Sequence, residues 1–208
     1  MKPIRTLAPA IATALLATPA LAHHPLGGET PATAWHGFLS GVGHPVIGLD
    51  HLAFVVAVGI AATFAARPLL MPLAFVLATI LGTVVHLAAV DLPAVELAIA
   101  VSVAGIGFLL LSGRALATPA LVALFALAGL FHGHAYGEAI FGAEATPLAA
   151  YLVGFGLTQW AIAVGAGMLF GATSRLGSGL APRLAGAMVA GAGVLLVSDH
   201  VFAALGWA

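Results

Sequence analysis

The sequence predicts an all-α integral membrane protein, a bundle of six transmembrane helices with the N-terminus and C-terminus outside. Three observations carry that prediction. Hydrophobic residues make up 62% of the 208 and charged residues only 6%, whereas soluble domains hold about 25% charged residues; a surface built from Ala, Leu and Val would aggregate in water. Apolar runs recur at about the 20-residue length that a helix needs to cross roughly 30 Å of hydrocarbon. The arginines of the chain fall on one side of the topology those runs imply.

The first 22 residues have the layout of a cleavable signal peptide. Lys2 and Arg5 form a positive start, residues 7–18 a short apolar core, and Ala20-Leu21-Ala22 a small-x-small cleavage site. Pro9 and Pro19 bracket too few residues for a crossing. Cleavage after Ala22 leaves His23-His24-Pro25 at a free N-terminus, followed by a short extracytoplasmic segment over 23–34 and a transmembrane domain over 35–208. Crossings are expected at 45–66, 69–89, 93–111, 119–136, 147–170 and 182–205, separated by Pro, Gly and charge. Residues 35–43 are either an extra helical turn or a re-entrant piece broken at His44-Pro45, because Gly41 and Gly43 weaken a helix and the residue before proline is pushed out of the α region.

With the N-terminus outside, Arg67, Arg114, Arg175 and Arg183 lie in cytoplasmic loops, while Glu29, Asp91 and Glu144 lie outside. Every positive charge of the mature chain is then internal, as the positive-inside rule requires. Leader and topology together point to the inner membrane of a bacterium. Glycines recur within the spans, among them Gly105, Gly107, Gly129, Gly133, Gly154 and Gly156, and their simplest use is close helix packing.

Net charge is −1 with no basic or acidic run, so neither nucleic acid nor a polybasic contact with lipid headgroups is indicated. With no cysteine, any metal must be held by nitrogen and oxygen. A phosphate-binding P-loop, a dinucleotide glycine fingerprint and HExxH are all missing, and nothing resembles a soluble domain that could hydrolyse ATP.

Function is therefore sought in the few ionisable groups, and these gather on one side of the bilayer. HPVIGLDH places His44, Asp50 and His51 in the outer half of the first span, and His86 sits near the outer end of the second. FHGHAYGE puts His132, His134 and Glu138 at the outer end of the fourth, and Asp199 with His200 closes the sixth. On a continuous helix, His44 and His51 share a face, whereas Asp50 lies about 100° from His51. His134 and Glu138 also share a face, but His132 is rotated about 200° from His134 unless Gly133 breaks the helix. That motif is expected to act as a helix end, with Gly133 and Gly137 letting the backbone turn.

A charge at membrane depth costs at least about 2.5 kcal/mol, so such groups pair, face water or bind an ion. Imidazole with carboxylate suits nickel, cobalt and zinc, and Asp50 serves either as a ligand or as acceptor of a ligating ring's proton. The candidate metal residues are His44, Asp50, His51, His132, His134 and Glu138. His23, His24, His36, His86, Asp199 and His200 are candidate additional ligands or relays; helix-to-helix hydrogen bonding is the simpler account of His86, and a helix end reaching the headgroups accounts equally for Asp199 and His200. Thr158, Gln159 and Trp160 line a path or simply pack. The apolar cytoplasmic half, around Val58 and Leu77, suggests a hydrophobic gate.

HPVIGLDHLAFVVAVG together with FHGHAYGE resembles the HupE/UreJ family of nickel and cobalt permeases, and the likeness covers nearly the whole chain. Where the family pattern reads FHGHAxGxE, the element here closes one residue early, Glu138 following Gly137 directly. The resemblance implies a permease taking up Ni²⁺ or Co²⁺ from the periplasm, with His44, Asp50 and His51 as its first motif and His132 and His134 as its second. The metal is cargo, so no permanently bound cofactor is expected. Zn²⁺ fits the same donors, and the partners are the divalent ion and the bilayer. The competing class is a membrane-embedded zinc-dependent hydrolase, with Ser102 or Ser198 as its serine; a membrane metal sensor would bind without flux.

Overall fold

The computed structural model describes residues 29–176 and 180–207. The leader, its cleavage site after Ala22, and His23 and His24 lie outside the described residues. Every regular element among those described is helical: α1 (Ala34–Ile47), α2 (Leu49–Ala62), α3 (Pro72–Leu87), α4 (Val95–Ser112), α5 (Thr118–Glu138), α6 (Ala145–Leu176) and α7 (Leu180–Ala204).

Four of these, α4 to α7, are long and apolar enough to cross a membrane, and α1 with α2 forms a fifth candidate bent by 80° at its break. The second expected crossing corresponds to α3, whose 16 residues reach about 24 Å at 1.5 Å per residue. Outward-facing positions carry large apolar side chains such as Leu77, Leu127, Leu157, Met188 and Leu195, as lipid rather than water requires. Leu77 is 64% exposed, so of the two residues expected at an apolar gate only Val58 lies in the core.

The expected break at His44-Pro45 falls elsewhere. Thr33 caps α1 by accepting the amide of His36, and the helix runs through Pro45 to Ile47. Proline costs α1 one hydrogen bond, but the chain leaves the helix only at Gly48, whose backbone is extended at φ −73° and ψ 103°. Asp50 stands in the first turn of α2, where a carboxylate favours the helix N-terminus, and its Oδ1 accepts the His51 amide at 2.8 Å.

Helices associate chiefly in three pairs, α3 with α5, α4 with α7 and α1 with α6, while α2 lies at the centre against α6, α4 and α7. Glycine sets the registers. A Cβ on Gly41 would overlap the Tyr151 carbonyl of α6, one on Gly133 the Thr79 carbonyl of α3, and one on Gly193 the Ala104 backbone of α4. The matched positions rise together in α1–α6 and in α3–α5 but run oppositely in α4–α7, the pattern that helices of alternating direction produce. Gly133 and Gly137 are thus packing positions: α5 continues through both to Glu138, and the His86 ring occupies the space beside Gly137.

The main core, among them Phe54, Val58, Phe75, Val103, Ile106 and Phe125, gathers round α2. A smaller cluster of Tyr136, Ile140, Tyr151 and Phe155 lies between α5 and α6.

Gly133→Ala is expected to lower the thermal midpoint of the detergent-solubilised protein, because overpacking a tight contact costs about 1–3 kcal/mol. Gly105→Ala, where a Cβ meets nothing within 4 Å, should leave that midpoint unchanged or raise it. Equal effects of the two substitutions in a thermal-shift assay would refute the close-approach account of Gly133.

Candidate metal centre

The bend at Gly48, the C-terminal half of α5 and the N-terminal halves of α4 and α6 meet at one end of the bundle, and a histidine cluster forms there. His44 and His51 are each 2% exposed and His132 is 0% exposed. The His44 and His51 rings lie with centroids 5.9 Å apart, and those of His51 and His132 4.9 Å apart. Nδ1 of His51 is 2.8 Å from Nδ1 of His132. On its far side, His132 Nε2 is 2.9 Å from Ser102 Oγ of α4, which itself donates to the Ile99 carbonyl at 2.7 Å. At the other end of the cluster, Nδ1 of His44 is 3.0 Å from the Tyr151 hydroxyl, and that hydroxyl donates to the Tyr136 carbonyl at 2.8 Å.

Asp50 is half-buried beside this cluster, within electrostatic reach of His132 and of the Tyr136 hydroxyl. The Tyr136 ring packs against both His44 and His51, at 4.7 and 4.5 Å. Its hydroxyl is buried and has no hydrogen-bond partner among the described residues. Phe54 and Phe75 pack against the His132 ring, with centroids at 4.5 and 5.6 Å, and join it to the apolar core.

His134 leaves α5 in a different direction, as the unbroken helix dictates. Its Nε2 donates to the Val90 carbonyl at 3.1 Å, and its ring stands edge-on to His86 with centroids 4.6 Å apart. Glu138 is exposed at the end of α5, and both it and Asp91 lie within electrostatic reach of His86. The structure thus divides the predicted residues into two groups, one of His44, Asp50, His51 and His132 and one of His86, His134 and Glu138. Among the described residues, no three His, Asp or Glu side chains are arranged so as to hold one metal ion.

The remaining candidates stand apart from both groups. His36 is exposed on the first turn of α1. Asp199 is exposed, and His200 donates from Nδ1 to the Leu196 carbonyl of its own helix at 2.8 Å. Gln159 is buried and donates to Thr79 at 3.3 Å, an interhelical bond, and the Trp160 indole donates to the Leu69 carbonyl at 3.1 Å. Reasoning from sequence missed Tyr136 and Tyr151 as parts of the site. The chain's two tyrosines, placed near the ends of otherwise apolar helices, are the signal in the sequence that points to them.

The family described as HupE / UreJ protein matches residues 11–196. Protein HupE of Rhizobium leguminosarum bv. viciae is 35% identical over 126 residues, 60% of this chain and 63% of that relative. The match therefore spans less than two thirds of the relative's length. No solved structure matches the chain.

A buried hydroxyl without a partner costs about 1–3 kcal/mol. Tyr136→Phe is accordingly expected to raise the thermal midpoint of the metal-free protein. A lowered midpoint would show that the hydroxyl is hydrogen-bonded in solution.

Proposed function

Because this chain belongs to the HupE/UreJ family, a family of nickel and cobalt transporters and not of enzymes, we propose that it is a multi-pass permease of a bacterial inner membrane that takes up Ni²⁺, with Co²⁺ as an alternative cargo, from the periplasm. In this reading the chain crosses the membrane six times with both termini outside, after removal of a leader at Ala22. The bent α1–α2 pair is one crossing, and α3 is a crossing extended by its flanking turns.

The observation that carries the reading is the packing of His44, His51 and His132 ring to ring at a helix break beside Asp50. Neutral imidazole and carboxylate are the donors that nickel and cobalt accept. The outer group of His134, Glu138 and His86 receives the ion first, and the inner group of His44, Asp50 and His51, supported by His132, holds it deeper. Because no three of these side chains are arranged to hold one ion, the metal's shell is incomplete, and water or a second conformation completes it. That suits transport, since an ion bound too tightly does not leave. Beneath the inner group, Phe54, Phe75 and Val58 close the path with apolar side chains, so inward release requires that these helices move. The sequence holds no nucleotide motif, so a permease acting alone admits the ion down its gradient or coupled to an ion gradient, and use of ATP requires a partner chain.

Purified protein reconstituted in vesicles around a metal-responsive dye should admit Ni²⁺ and Co²⁺, and Asp50→Ala should lower the rate by about tenfold or more. Asp50→Asn keeps the acceptor for the His51 amide while removing the charge, and is expected to fail in the same way. Stoichiometric binding without influx would sink the permease reading. Histidine ligation also sets a pH dependence. Imidazole protonates near pH 6.5 and imidazolium cannot bind a metal, so uptake should fall as external pH drops from about 7 to about 5. Constant flux over that range, with the protein intact, would rule out histidine ligands.

A further inference from the structure

We propose that Ser102 and Tyr151 are positioning residues that fix the tautomers of the histidine cluster, so that His44 and His51 both present Nε2 to the metal while His132 braces His51 from behind. As to the metal, this rests on the transport reading above; as to the tautomers, it rests on hydrogen-bond direction.

A hydroxyl has a single hydrogen to donate. Ser102 spends it on the Ile99 carbonyl at 2.7 Å, so toward His132 Nε2, 2.9 Å away, it acts as acceptor. His132 Nε2 therefore carries the hydrogen. Neutral imidazole, the form a metal ligand must take, has one N–H and one lone pair. His132 Nδ1 is then an acceptor, and the donor facing it at 2.8 Å is Nδ1–H of His51. That places the His51 lone pair on Nε2.

The opposite end of the cluster obeys the same constraint. Tyr151 donates its hydrogen to the Tyr136 carbonyl at 2.8 Å and accepts from His44 Nδ1 at 3.0 Å. The His44 lone pair also sits on Nε2. Two hydroxyls on two different helices thus impose one tautomer on two rings whose centroids are 5.9 Å apart.

This arrangement has a functional consequence. A ring whose Nδ1–H is engaged is held in orientation and is a more basic ligand at Nε2, and loss of such a supporting partner weakens metal affinity or activity by about 10- to 100-fold. His132, with Nδ1 bonded to His51 and Nε2 to Ser102, acts here through His51 and not as a ligand. Ser102 also brings α4, which contributes to neither histidine motif, into the site.

Ring-¹⁵N-histidine NMR of the full chain in nanodiscs, well above the ordinary imidazole pKa of about 6.5, reads the tautomers directly, with signals assigned by single His→Gln variants. Without metal, His44 and His51 should carry hydrogen on Nδ1 and His132 on Nε2. Ser102→Ala should mix the tautomers of His132 and His51, Ser102→Thr should restore them, and Tyr151→Phe should release His44. Nickel uptake should fall about tenfold or more in Ser102→Ala and recover in Ser102→Thr, whereas a purely structural loss would lower yield and leave the tautomers of the surviving protein intact. Hydrogen on Nε2 of His51 in the native chain, or tautomers unmoved in both Ser102→Ala and Tyr151→Phe, overturns the proposal. Zn²⁺, a diamagnetic probe, should shift Nε2 of His44 and His51. If those signals stay put while the tautomers stand as stated, the metal-site reading fails and the tautomer assignment survives.

Discussion

An imidazole ring enclosed by hydrocarbon must find partners for its nitrogens inside the protein, and that requirement organises one whole end of this bundle. His132 is fully buried and lies between α2, which supplies His51, and α4, which supplies Ser102. To put the ring there, α5 must lie hard against its neighbours. The missing Cβ of Gly133 lets it reach the Thr79 backbone of α3, and Thr83 secures the contact by donating to the Gly133 carbonyl at 2.8 Å. Small residues and polar partners are therefore two parts of one arrangement. The glycines bring the backbones close, and that closeness lets short side chains reach the rings.

The break at Gly48 serves the same arrangement. Seven residues along a straight helix separate two side chains by about 10 Å at 1.5 Å per residue. The 80° bend between α1 and α2 brings the His44 and His51 rings to 5.9 Å instead. It also opens a fresh helix N-terminus at the site, where Asp50 is favoured by the helix dipole. Pro45 and Gly48, which look like defects in an apolar span, turn two turns of helix into a compact pair of rings with a carboxylate beside them.

Continuity of α5 has the opposite effect on the second motif. Because the helix does not break at Gly133, its two histidines point to different neighbours, His132 inward to α2 and α4 and His134 toward His86 and the α3–α4 connection. A motif that looks like one ligand set in sequence is divided between two groups of side chains. Phe54 and Phe75, themselves part of the apolar core, pack against His132.

Membrane class and the positions of α3, α4, α5 and α7 to within a few residues were legible in the sequence, whereas the first expected crossing, 45–66, is a pair of helices that begins at Ala34 and breaks at Gly48. The legible features follow from hydrophobic length, from proline and glycine, and from the price of burying charge, all of which act locally along the chain. The sequence was misleading where a local rule had two outcomes, as at His44-Pro45, where tertiary packing tolerated the proline, and at Gly133 and Gly137, which serve approach and not turning. Only the tertiary structure decided which rings meet and what holds them. The bonds joining His51 to His132, His132 to Ser102 and His44 to Tyr151 span 81, 30 and 107 positions. Such bonds depend on the rotation and register of whole helices against one another, and composition, periodicity and spacing carry no record of either.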